Sequence, residues 1–201
     1  MNKNIIRSLA ISGAVLISSV ALAGCTINLG SSDSDKNSGM MGNNGMMGNS
    51  SSSSTFSGSD IMFAQMMIPH HQQAVDMGTL AETRALSPEV KALAAKIKSE
   101  QSPEITQMKG WLKDANAPLT MGHDMGMGGM LTNDEIATLT AAKGSEFDRL
   151  FLQGMIDHHQ GAIHMAQMVI DSNNAEAAKL GKDIIDSQTK QITYMQKLLA
   201  N

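Results

Sequence analysis

The chain repeats itself, and nothing else in it restricts the fold as strongly. Asp60-Ile-Met-Phe-Ala-Gln-Met-Met-Ile-Pro-His-His-Gln-Gln-Ala-Val-Asp-Met77 aligns without a gap on Asp148-Arg-Leu-Phe-Leu-Gln-Gly-Met-Ile-Asp-His-His-Gln-Gly-Ala-Ile-His-Met165, at an offset of 88 residues. One deletion later the offset is 87, pairing Glu89 with Glu176, Leu93 with Leu180, Gln101 with Gln188, Ile105 with Ile192 and Met108 with Met195. The fold must therefore be built from one unit used twice.

Each unit reads as a helical hairpin. Phe151, Met155, His158, Ala162, Met165 and Val169 recur at steps of four and three, the spacing of one helical stripe. Leu152, Ile156, His159, Ile163, Ala166 and Ile170 form the adjoining stripe. Together they make a broad buried face, with Asp157, Gln160, His164, Gln167 and Asp171 opposite. The second helix of each unit buries Leu93, Ile97, Ile105, Met108 and Leu112, or Leu180, Ile184, Ile192, Met195 and Leu199. Ser87-Pro88-Glu89 is a helix start, with a capping side chain and proline in the first turn. Pro69 and Pro103 fall inside helices and predict bends there. No segment alternates as a strand does. The expected fold is all-α, a four-helix bundle of two repeated hairpins. They span 60–115 and 146–201, joined by a crossover over 116–145 in which Thr132-Asn-Asp-Glu135 opens a short helix.

Ahead of the bundle the sequence changes character. Lys3 and Arg7 precede an apolar run from Leu9 to Ala23, which is the pattern of a secretory leader over 1–24 and is too short for a comfortable bilayer span. It ends Leu22-Ala23-Gly24-Cys25, which resembles the bacterial lipobox and implies cleavage before Cys25 and lipid attachment to it. Residues 25–59 are mostly Ser, Gly, Asn and Met without apolar periodicity, a flexible tether. No later segment is long and apolar enough to span a membrane. The mature protein is thus expected to hang by its lipid from a cell membrane or outer membrane, facing the periplasm or the extracellular side.

Composition excludes several functions. The formal net charge is −4, the wrong sign for a nucleic-acid binder. A single cysteine rules out a disulfide framework and a four-cysteine zinc module. Aromatic residues are only 3% of the chain, too few for a stacking platform or a comfortable haem pocket. Methionine is the excess, with 18 residues.

The methionines coincide with the histidines. Met67 stands three residues before His70-His71, and Met155 three before His158-His159, so each methionine shares a helical face with an imidazole. Met77 and Met165 extend those faces by two turns. Ferritin-like bundles place glutamate where these methionines stand, and bind iron or manganese through it. Thioether with imidazole is a softer set, suited to Cu(I) and Ag(I). The structural alternative is that the methionines fill the core and that Gln101 and Gln188 satisfy the imidazoles without metal. His164 lies on the polar face with Met168 one turn later, as a solvated histidine or an accessory copper ligand. In the crossover, Met121, His123, Met125, Met127 and Met130 are spaced by glycines and resemble the Met motifs of copper-handling proteins.

Met67-Ile-Pro-His70-His71-Gln72 and the segment from Phe147 to Ala166 closely resemble the bacterial domain-of-unknown-function family 305, over about residues 60–201. The resemblance implies a ferritin-like bundle, and copper binding or copper tolerance for those members with an assigned role. With the residues above, it points to an extracytoplasmic, lipid-anchored protein that captures Cu(I), with Cu(II) or Ag(I) as further ions, and that has a copper-handling protein as a partner. Enzyme activity is not expected. There is no inward carboxylate quartet, no His-Glu-x-x-His, no Gly-x-Ser-x-Gly and no Cys-x-x-Cys. The rival readings are a metal-dependent oxidase, a haem protein and a partner-binding helical module without metal.

Overall fold

The computed structural model describes residues 55–122 and 128–200, all within a compact unit spanning Asn49–Asn201. The leader at 1–24, Cys25, most of the tether, and His123, Met125 and Met127 lie outside the described residues. Five helices follow in order: α1 (Gly58–Arg84), α2 (Pro88–Asp114), α3 (Asn133–Ala141), α4 (Gly144–Ala166) and α5 (Ala175–Leu199). Among the described residues there is no strand, only an isolated bridge between Ala85 and Gly144. The helices α1 and α2 form one hairpin and α4 and α5 the other, α1 meets α4 between them, and the short α3 lies against α4.

Local chemistry sets the helix ends. The Ser87 hydroxyl accepts from the amides of Glu89 and Val90 ahead of α2, and Asn174 does the same for Glu176 and Ala177 ahead of α5. Thr132 and Glu135 complete the expected capping box of α3. A second box joins Ser57 to Asp60, so α1 starts at Gly58. Phe56 adds itself to the core by stacking on Trp111, with ring centroids 5.2 Å apart. The folded unit therefore begins a few residues ahead of the repeat. Both α1 and α2 run through their internal prolines.

At its far end α4 departs from the expected stripe. The helix stops at Ala166, and the chain tightens into three-residue turns, with Met168 N–H bonded to Met165 C=O and Val169 N–H to Ala166 C=O. The tightening keeps Val169 fully buried. Leu199, its place in the repeat matched by buried Leu112, is 37% exposed at the end of α5. Leu112 instead shares an apolar cluster with Phe56 and Trp111.

The core is layered. One apolar cluster takes Met67 from α1, Met108 from α2, Met165 from α4 and Ile184 from α5. The other takes Met77, Ile97, Met155 and Met195 from the same four helices. Between them, each helix contributes buried polar residues: His70 and His71, Gln101, His158 and His159, Gln188 and Gln191. The repeat mates Met67 and Met155 fall in opposite clusters, as do Met77 and Met165, and Met108 and Met195. The two hairpins are thus related by a pseudo-two-fold axis, and His70 touching its own mate His158 marks where the axis passes.

The crossover is pinned along the seam of α1 and α4. The Gln73 amide clamps Leu131 twice, accepting from its N–H at 2.8 Å and donating to its C=O at 2.9 Å. Beside it, Gly128 and Gly129 lie backbone to backbone on α4. Gly129 has φ +83° and abuts the Asp157 carbonyl, and a Cβ on Gly161 would collide with the Gly128 carbonyl oxygen. Glycine inside a helix normally costs about 1 kcal/mol relative to alanine, so Gly161→Ala would stabilise an isolated helix. Here the collision should dominate. Gly161→Ala is expected to destabilise the protein by about 1–3 kcal/mol. Gly110→Ala, with nothing within 4 Å of the new methyl, should stabilise it by about 0.5–1 kcal/mol. Urea unfolding of the two variants measures both signs.

Candidate metal centre

About three turns of α1 and three of α4 place all eight residues of the expected core set inside the bundle. Met67, His70, His71, Met77, Met155, His158 and His159 are fully buried, and Met165 is nearly so. Consecutive histidines diverge by about 100° around a helix, so each pair serves two sides of the polar layer. His70 and His158 face each other across the seam of α1 and α4, with ring centroids 3.7 Å apart. His71 and His159 turn toward α2 and α5.

Three of the four imidazoles are held through the same atom. His70 Nε2 lies 3.3 Å from the Gly128 carbonyl oxygen. His71 Nε2 lies 2.8 Å from Glu104 Oε2, and His159 Nε2 lies 2.5 Å from Gln191 Oε1. The Gln191 NH₂ donates in turn to Glu100, which leaves its carbonyl for His159. Each of these partners is an oxygen acceptor, so each histidine donates from Nε2. A neutral ring that donates from Nε2 carries a lone pair on Nδ1. The Nδ1 atoms of His70, His71 and His159 are buried without a hydrogen-bond partner among the described residues, and so are both ring nitrogens of His158.

The partners differ from those expected. Gln101 and Gln188 are buried in the layer but do not satisfy the imidazoles: neither Gln101 amide atom has a partner, nor does Gln188 Oε1. The acceptors stand one turn further on, at Glu104 and Gln191. These are themselves repeat mates at the offset of 87, which is the signal that marks them in the sequence. Glu100 has no such mark, since its mate is Ser187. Above this network, a groove of about 590 Å³ between α2 and α5 is lined by Leu93, Glu100, Gln191 and Tyr194.

Burial disfavours the charged form of three of the four rings. Burial, reinforced by the charge of His71, lowers the His70 pKa from 6.5 to about 3, against a smaller opposing effect of the Gly128 carbonyl. Burial lowers His159 to about 4 despite its bond to Gln191. His158 is pushed well below the ordinary histidine value, first by burial and then by His70 and the other two rings, with the His70 backbone weakly opposing.

The donor set fits a soft cation. Each buried polar group left unpaired costs about 1–3 kcal/mol, and a metal ion is one partner that could relieve several imidazole nitrogens together. Among the described residues no three His, Cys, Asp or Glu groups are gathered as a chelating cluster. An ion held in this layer would therefore need the thioethers of the flanking clusters as well as imidazole nitrogen. Glu104 and Gln191 orient two of those rings in the manner of outer-shell partners.

The remaining expected residues lie elsewhere. His164 is exposed and apart from the four buried histidines, because it projects from the polar face of α4. Met121 and Met130, the crossover methionines among the described residues, are half-buried.

The comparisons agree with this architecture. The family described as "Domain of unknown function (DUF305)" matches residues 60–199. Among solved structures, a DUF305 protein of Streptomyces coelicolor, described as secreted, is 33% identical with TM-score 0.68, over 71% of this chain and 92% of that one. CopM in a Cu(II)-bound form is 38% identical with TM-score 0.62, over 71% of this chain and 96% of that one. CopM is also known in Cu(I)-bound and Ag-bound forms. A DUF305 fragment from Deinococcus radiodurans is 30% identical with TM-score 0.66, over 72% of this chain and 97% of that one. None of the curated proteins compared with the chain matches it.

The depressed histidines make stability depend on acidity. An unfolded histidine protonates near pH 6.5, whereas His159 and His70 in the folded state resist protonation down to about 4 and about 3. Between those limits the unfolded state binds more protons, so stability falls as pH falls. Denaturant unfolding of the metal-free protein should show a steady loss of stability below pH 6.5. Replacing His70 and His158 by leucine should flatten that slope, and an unchanged slope would contradict the burial described.

Proposed function

The chain belongs to the DUF305 family, and on that premise we propose that it is an extracytoplasmic copper-binding protein, tethered to a membrane by a lipid on Cys25. Its cargo is Cu(I), with Cu(II) and Ag(I) as further ions. They are captured by Met67, His70, His71 and Met77 and by their mates Met155, His158, His159 and Met165. The observation that carries this reading is the layer of four buried imidazoles with unpaired nitrogens, bounded on both sides by methionine. A purely structural role would be served better by apolar residues of similar size, since buried polar groups left unpaired destabilise. The copper- and silver-bound forms of CopM support the choice of ion.

The role is capture and hand-over rather than turnover, in the service of copper tolerance or homeostasis, with a copper-handling protein as the receiving partner. Met121, His123, Met125, Met127 and Met130 of the crossover and the methionines of the tether are weaker ligands that collect ions or hand them over.

An anaerobic Cu(I) titration against a competing chelator tests the core. Replacing His70, His71, His158 and His159 together by leucine should leave the helical content intact and remove the layer's donors. Loss of an outer-shell partner alone costs about 10–100-fold in metal affinity, so loss of these ligands should weaken Cu(I) by more than about 100-fold at that site. The wild-type protein should also melt higher with Cu(I) than without it, as a ligand of the native state requires. Unchanged affinity in the quadruple variant overturns the assignment.

A further inference from the structure

We propose a second soft-metal site outside the buried layer, formed by Met66, His164 and Met168 over Met165, which takes Cu(I) or Ag(I) at the surface and passes it to the core. The three outer residues line a cavity of about 530 Å³ at the far end of α4. Met66 comes from the outer side of α1, His164 from the polar face of α4, and Met168 from the turn that follows it. Gly128 and Gly129 close one wall and Asp157 lies at the edge. Three thioethers and an imidazole from three separate segments thus surround one space. Soft ligands of this kind select a monovalent soft ion over hard cations.

Duplication does not explain this grouping. The repeat mates of Met66, His164 and Met168 are Gly154, Asp76 and Leu80, none of them an imidazole or a thioether. Where Met66 has its mate, the Leu131 side chain packs at 3.0 Å from the position a Gly154 Cβ would occupy. One side of the pseudo-two-fold is lined by leucine, and the other is furnished with sulfur. Unlike the core methionines, Met66 and Met168 are only half-buried, and His164 is exposed. All three are accessible to an arriving ion.

The cavity shares two of its lining residues with the surroundings of the buried layer. Met165 lines its floor and also belongs to the apolar cluster that holds Met67. Gly128 lines its wall, and its carbonyl is the acceptor for His70. An ion bound at the mouth has a thioether beneath it that reaches the core and lies next to a wall bonded to the first histidine. The transfer, though not the surface site itself, rests on the reading of the core as a Cu(I) site.

The test uses the full-length protein labelled with ¹³C in its methionine methyl groups, titrated with Ag(I). The Met66 and Met168 signals are assigned from the Met66→Leu and Met168→Leu variants. Both signals should move in the wild type, and should still move when His70, His71, His158 and His159 are replaced by leucine. Replacing Met66 and Met168 by leucine and His164 by asparagine should remove one equivalent of bound Ag(I) and slow the shift of the Met67 and Met155 signals without abolishing it. If Met67 and Met155 move while Met66 and Met168 stay fixed, the surface site is overturned and the core reading stands. If Met66 and Met168 move and the core methionines do not, the surface site stands and the core reading falls. If the triple variant loads its core as fast as the wild type, the transfer is overturned.

Discussion

His70 and His158 meet across the pseudo-two-fold axis with ring centroids 3.7 Å apart, in an interior otherwise packed with methionine, leucine, isoleucine and phenylalanine. Burial disfavours a charge on either ring and two charged imidazoles at that distance would also repel, so both are held neutral, as their depressed pKa values express. A neutral ring still brings one N–H and one lone pair into the core. The Gly128 carbonyl accepts from His70, and that bond requires the crossover to lie directly on the helices. The backbone contact in turn requires glycine at Gly129 and Gly161. On the opposite side His71 and His159 make the same demand, answered by Glu104 and Gln191. Much of the irregular structure thus follows from keeping four histidines inside a helical bundle.

A good part of this was legible in the sequence. The repeat gave the two hairpins, the helical stripe gave the buried faces, and the polar face of α4 came out as expected, with Asp157, Gln160, His164, Gln167 and Asp171 all exposed. The caps of α2 and α3 were readable because side-chain capping is a local interaction. What periodicity could not supply was the identity of the hydrogen-bond partners. Gln101 and Gln188 point into the core as their spacing requires, but reach depends on how far apart the helices stand, and the residues one turn later are those that touch the rings. Phe56 was read as part of the tether because it precedes the repeat, and only its stacking on Trp111 assigns it to the core. Helical spacing paired His164 with Met168, but not Met66 with either, since Met66 comes from α1 and only the packing of α1 on α4 brings it to the same cavity.

The two faces of the polar layer are furnished differently. Toward the crossover, it is closed by glycine backbone and bordered by thioethers. Toward α2 and α5, it is bordered by Glu104, which meets His71, and by Glu100 at the edge of an open groove. The two sides of the layer therefore offer different side chains.

The most direct test of the central claim is X-ray absorption at the copper edge, on protein loaded anaerobically with one equivalent of Cu(I). If methionine and histidine together hold the ion, its first shell contains both sulfur and nitrogen, and the nitrogen contribution carries the multiple scattering of imidazole rings. A shell of nitrogen and oxygen without sulfur would contradict the account.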